Sequence, residues 1–97
     1  MTARYVLSPR AQSDLEAIWD HTERQWGLDQ AEQYLRQIWQ GIEIVAAKPL
    51  VGRDCSELRA SYRKYRTGAH VLFYRVTGEI IDVVRILHER MDFERHL

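Results

Sequence analysis

Residues 62–88 read YRKYRTGAHVLFYRVTGEIIDVVRILH, and the architecture follows from how this run is divided. Three β-prone pieces stand out: Tyr62–Arg66, Ala69–Val76 and Glu79–Leu87. Their Val, Ile, Tyr and Phe side chains suit a pleated surface packed on one or both faces. The two-residue links Thr67-Gly68 and Thr77-Gly78 read as hairpin turns, because glycine supplies the positive φ that a tight turn between twisted strands requires. A three-stranded antiparallel meander is the expected result.

Working outward, the segment before the meander is helical. Ser8-Pro9 is a helix start, since serine caps free amides and proline tolerates the first helical position. Ala11, Leu15, Ile18, Trp19, Thr22 and Trp26 then recur at three- and four-residue spacing and are placed on one face. Gly27 ends that helix. A second stripe, Ala31, Tyr34, Leu35, Ile38, Ile42, Val45 and Ala46, runs until Lys48-Pro49, where proline disfavours a helical predecessor. The connection at Gly27 is short enough to make the pair an antiparallel hairpin. Gly41 costs roughly 1 kcal/mol against alanine inside a helix, and it reads as a place of close packing or, equally, as a mild weakness in the helix. Tyr5-Val6-Leu7 forms a first short strand, which must join the sheet because alone it buries nothing. Residues 49 to 60 are irregular, and Met91–Leu97 has room for one or two helical turns. The expected order is β-α-α-β-β-β, an α+β single domain over residues 1–97 with a helical hairpin packed on a small, mainly antiparallel sheet.

Composition narrows the function. The chain has 97 residues, with 14 Lys+Arg against 14 Asp+Glu, so its formal net charge is zero. A neutral chain does not coat nucleic acid by charge alone. No apolar run approaches the roughly 20 residues of a membrane span, and the first residues lack the apolar core of a secretory signal. Cys55 is the sole cysteine and has no disulfide partner within the chain, which fits a reducing, cytoplasmic setting. Charge is unevenly spread, however. Residues 1–49 carry five cations and seven anions, while residues 50–97 carry nine and seven. The stretch from Leu58 to Gly78 has no acid, yet it holds Arg59, Arg63, Lys64, Arg66 and Arg75.

Taken in order, Tyr5-Val6-Leu7-Ser8-Pro9-Arg10-Ala11, Asp14-Leu15, Ile18-Trp19, Trp26-Gly27, Gln30-Ala31, Pro49 with Gly52-Arg53, and Glu57-Leu58-Arg59 form a familiar series. It continues with Gly68, His70-Val71, Phe73-Tyr74-Arg75-Val76, Val84-Arg85-Ile86-Leu87-His88 and an ending of Arg90-Met91-Asp92 and Arg95-His96-Leu97. The whole chain thereby resembles the ParE toxins of the RelE/ParE toxin–antitoxin superfamily. The resemblance implies the fold derived above, a cytoplasmic bacterial protein, neutralisation by a ParD-like antitoxin and inhibition of DNA gyrase by protein–protein binding. It implies no cofactor and no direct sequence-specific contact with nucleic acid. RelE-type relatives instead cut messenger RNA at the ribosome, and that activity is the alternative; a relative that binds antitoxin without being toxic is a third.

Two sets of residues follow as expected sites. For the antitoxin these are Trp19, Trp26, Tyr34 and Trp39 on the helical hairpin, with Arg59, Arg63 and Arg66 of the basic stretch. Trp39 lies about 100 degrees off the Leu35–Ile38–Ile42 stripe, so it either closes the edge of the core or anchors a partner. For the target and for toxicity they are Arg85, His88, Arg90, Met91, Asp92 and Arg95. A ribonuclease needs a base, an acid and cations around the reacting phosphate. The chain offers His88, Arg85, Glu89, Arg90 and the Arg59–Arg66 cluster, but strand alternation puts Arg85 and His88 on opposite sides and no tyrosine lies beyond Tyr74, so no catalytic residue is assigned. The four histidines show no ligand spacing on a single element, and no metal site is expected.

Overall fold

The computed structural model describes residues 4–97. Three strands of the meander are present as β3 (Arg63–Thr67), β4 (His70–Thr77) and β5 (Ile80–His88), preceded by β1 (Tyr5–Leu7), α1 (Pro9–Trp26), α2 (Leu28–Ala47) and β2 (Arg53–Asp54), and followed by α3 (Phe93–His96). The sheet has five strands in the order β1-β5-β4-β3-β2, with β1 parallel to β5 and the other pairs antiparallel.

Each meander strand lies one residue later than the spacing predicts. Thr67 pairs with His70 and Thr77 with Ile80, so both threonines stay in the ladder and the turns are Gly68-Ala69 and Gly78-Glu79. The glycines have φ of 61° and 63°, and neither following residue has positive φ. Glycine thus occupies the first central position of a type II′ turn rather than the second. The two-residue strand β2 has no sequence signal of its own; Arg53 and Asp54 acquire strand geometry by pairing with Lys64 and Arg63.

Helix starts and stops are where local chemistry places them. Ser8 Oγ accepts from the Ala11 amide at 3.0 Å, and Gly27, at φ 92°, ends α1 and begins α2. The helices bury Ala11, Leu15, Ile18, Ile38, Ile42 and Val45 against Leu72, Tyr74, Ile81, Val83 and Ile86 of the sheet. Trp26, expected on the same buried face, is instead 72% exposed. Burial on α1 stops at Thr22 and resumes on α2 at Ala31, so the tip of the hairpin, where Trp26 sits, projects beyond the core. Of the two readings of Gly41, the structure selects close approach: a Cβ there would stand 3.1 Å from Thr67 Cβ.

The opposite face of the sheet is also covered in part. Cys55, Val71, Phe73 and Leu87 form a second, smaller core beneath Leu58, Tyr62, Met91, Phe93 and Leu97. The C-terminal segment is therefore part of the packing. Phe93 meets Phe73 edge-on with ring centroids 4.9 Å apart.

Candidate functional site: a histidine groove and two clamps

The strand β5 carries an irregularity that decides the fate of Arg85. Phe73 of β4 pairs with Arg85 but Tyr74 pairs with Val83, so Val84 is an extra residue. Such a bulge re-aims the side chains that follow it. The backbone groups of β5 at this point are taken up by α1 and the residue before it. Ser8 N–H donates to Val83 O at 3.0 Å, Ser8 Oγ to Val84 O at 2.7 Å, and Ile86 N–H to Asp14 Oδ2 at 2.9 Å. Asp14 also receives both arms of Arg85, Nε at 2.8 Å and Nη2 at 2.9 Å. With side chains only 13% and 14% exposed, this is a two-point pair screened little by solvent. The hydrogen bonds it donates to Asp14 hold the Arg85 guanidinium even more firmly charged than usual, against the opposing effect of burial. The third arm, Nη1, donates to His96 O at 2.8 Å. Arg85 thus ties helix, strand and tail together.

The basic stretch divides in a similar way. Arg59 donates through Nε to the Leu97 oxygen at 2.9 Å and through Nη2 to the same atom, pinning the tail. Arg63 donates to Gly52 O at 2.7 Å. The adjacent Gly52 N–H donates to the Tyr74 hydroxyl, which in turn donates to Pro49 O, so the loop after α2 is fastened to β4. Burial pushes the Tyr74 phenol up. Arg66 faces outward to Glu89, with Nη2 at 2.9 Å from Oε2.

Topology brings together three histidines that sequence spacing keeps apart. His21 of α1, His70 of β4 and His88 of β5 line two adjoining grooves of ≈ 350 and ≈ 260 Å³ beside Thr22. Trp26, Gln30 and Tyr34 wall one groove; Ile18, Ile86 and Met91 wall the other. The Ala69 N–H donates to the Tyr34 hydroxyl at 3.0 Å, leaving the hydroxyl proton for His70 Nδ1 at 2.6 Å. His70 is consequently held as a neutral ring. Desolvation, and next the neighbouring His88, lower its pKa to about 4. Burial also raises the Tyr34 phenol. His88 stands edge-on to His70 at 5.2 Å, and its Nδ1 accepts from Arg90 N–H at 3.1 Å. Among the described residues there is no group of three or more potential ligands that could hold a metal ion.

The expected site residues are scattered across these features. Tyr34 and His88 meet at the groove, which Trp26 and Met91 also line. Trp19 is half-buried on α1. Trp39 is half-buried against Tyr5, ring centroids 6.1 Å apart, and closes the edge of the core. Asp92 caps α3 by accepting from Glu94 N–H, while Arg90 and Arg95 are exposed. Sequence reasoning missed the Tyr34–His70 bond and Asp14 as the partner of Arg85. Nothing in spacing announces either, since both pairs join residues far apart in the chain.

A helical hairpin laid across a meander, with a parallel first strand at its edge, is the RelE/ParE-like α+β fold. It recurs in the chromosomal ParDE toxin–antitoxin system from P. aeruginosa, at a TM-score of 0.78 and 22% identity over 90% of this chain and 96% of that one. The RelBE2 toxin–antitoxin complex from Mycobacterium tuberculosis shares it at a TM-score of 0.66 and 18% identity, over 91% of this chain and 99% of that one. Sequence comparison is narrower. Residues 5–93 match the family described as ParE toxin of the type II toxin–antitoxin system, parDE. Toxin ParE1 of Mycobacterium tuberculosis is 59% identical, with both chains covered completely. Toxin ParE1 of Caulobacter vibrioides is 43% identical over 96% of each, and Toxin ParE of Escherichia coli 41% identical over all of this chain and 94% of its own. The chain belongs to the ParE toxin family.

Proposed function

We propose that this toxin acts by binding, inhibiting DNA gyrase in the cytoplasm, and that a ParD-like antitoxin neutralises it. The observation that carries the reading is full-length identity of 59% to a protein named Toxin ParE1. The chemistry of the groove agrees with it. The donors of the Arg85 guanidinium are occupied by Asp14 and His96 O. His70 carries no positive charge at neutral pH. A phosphate placed at the histidines would therefore draw no positive charge from His70 and no free donor from Arg85, two of the groups its cleavage would call on.

The antitoxin is assigned to the hairpin, where Trp26 is exposed and Tyr34 lines a groove beside it. Exposed Arg90 and Arg95 are assigned to the target. A supercoiling assay with purified toxin and gyrase tests the reading: supercoiling is expected to fall, and undiminished activity at toxin excess rejects it. Primer extension on messages from expressing cells covers the ribonuclease alternative, for which unbroken messages are expected.

A further inference from the structure

On the face of the sheet away from the helical hairpin, a further opening of ≈ 480 Å³ lies between the β2–β3 end of the sheet and the C-terminal helix. Its charged wall is made of cations, Arg53, Lys64 and Arg66, with Tyr65 between the last two. Its apolar wall includes Val51, Val71 and Phe93, and no acidic side chain lines it. Arg53 and Lys64 form no ion pair among the described residues, and Arg66 shares its charge with Glu89 alone. The other three cations of the acid-free stretch are engaged within the fold, Arg59 on the tail, Arg63 on Gly52 and Arg75 on Asp82 of the neighbouring strand. Folding thus sorts this basic stretch into members that fasten the chain and members left to solvent in one groove.

We infer that this groove docks an extended acidic segment of a partner polypeptide. Lys64 and Arg66 are two residues apart on one strand face, a repeat of about 6.8 Å, which is also the repeat of alternate side chains in an extended peptide. Carboxylates at positions i and i+2 of a segment lying along β3 would meet Lys64 and Arg66 in turn. Arg53, directly across from Lys64, adds a second cation at one end. Phe93 and Val71 supply an apolar surface beside the charges. Nucleic acid is the weaker fit: tight phosphate tracking uses about 6–10 contacts, and this groove has three cations, one of them already shared. The groove is separate from the hairpin surface, so the inference does not depend on where an antitoxin helix sits.

Fluorescence polarisation on the full chain tests it, using a labelled peptide with Glu at alternate positions, the same peptide with Gln, and a single-stranded oligothymidylate of matched charge. The Glu peptide should bind saturably and lose affinity as salt rises, and the Gln peptide should bind about tenfold more weakly or worse. The double variant Arg53→Gln/Lys64→Gln should weaken the Glu peptide by about tenfold, while Arg10→Gln, an exposed change on α1, leaves it unchanged. Matching thermal melts for the variants separate lost binding from lost folding; should the double variant fail to fold, the single Arg53→Gln, at an exposed site, carries the comparison. Absence of saturable binding, tighter binding of the oligonucleotide than of the peptide, or equal binding by the folded charge-removed variant would each overturn the proposal.

Discussion

At Asp14 one carboxylate serves three donors: two from Arg85 and the amide of Ile86. Removing it leaves a largely buried guanidinium without its counter-charge and a strand amide without an acceptor. Asp14→Ala should therefore cost about 3 kcal/mol of stability in urea unfolding, and a loss under about 1 kcal/mol would show that the clamp is solvated. His70 sets a pH dependence. Its folded pKa of about 4 lies below the ordinary 6.5, so between those values the unfolded chain binds more protons than the folded one. Stability contributed by the neutral ring is complete above pH 6.5 and is lost as pH falls toward 4. Other groups face this ring: Asp14 and His21 from α1, Tyr34 from α2, and His88 and Glu89 at the end of β5. Because the ring is only partly buried, the loss should be on the order of 1–2 kcal/mol. Urea unfolding at pH 7 and pH 4.5 should show the wild type losing that much more than His70→Gln; parallel losses would deny the ring this role.

Among the elements, the helical hairpin was readable because caps and periodicity are local. Ser8, Gly27 and Lys48-Pro49 act within a turn of where they stand, and the stripes through Leu15 and Ile38 mark the buried faces. Elements made by long-range pairing left no such trace. β2 exists because Arg53 and Asp54 meet β3, and the bulge at Val84 exists because Ser8 and Asp14 take up the β5 backbone. The site suffered most, since His21, His70 and His88 come from three elements and meet only after folding. At Gly41 the sequence alone leaves close packing and a weak helix equally open, and the geometry decides for close packing and gives the sign of a substitution. Alanine gains about 1 kcal/mol in helix propensity, but its Cβ overlaps Thr67, which is paired in β3 and donates its hydroxyl to Gln37 O. Forcing helix and strand apart costs about 1–3 kcal/mol, so Gly41→Ala should destabilise, and a raised melting temperature would contradict this. The tail was expected to serve toxicity, and it also closes a core. Phe93→Ala should cost about 1–2 kcal/mol in denaturant unfolding through lost contact with Phe73. Arg95→Ala, at an exposed site, should leave stability within about 0.5 kcal/mol. The reverse order would mean that the tail does not pack on the sheet.

For the molecule as a whole, zero net charge conceals a division of labour rather than a uniform surface. Cations inside the fold are tied to carboxylates or backbone oxygens, while Arg53 and Lys64 stand free beside an apolar wall. Two histidines of the open groove are engaged through Nδ1, His70 as a neutral ring bonded to Tyr34 and His88 by the Arg90 amide. Such a molecule is better equipped to occupy a protein surface than to turn over a phosphodiester. A binder and a catalyst differ in dose: a binder must be supplied in amounts comparable to its target or above its dissociation constant, whereas a catalyst works far below equivalence. The most direct measurement is supercoiling by a fixed amount of gyrase, titrated with the purified chain. Activity should fall steadily and reach its floor only at or beyond equivalence of toxin and gyrase. Full supercoiling at large toxin excess would contradict the account.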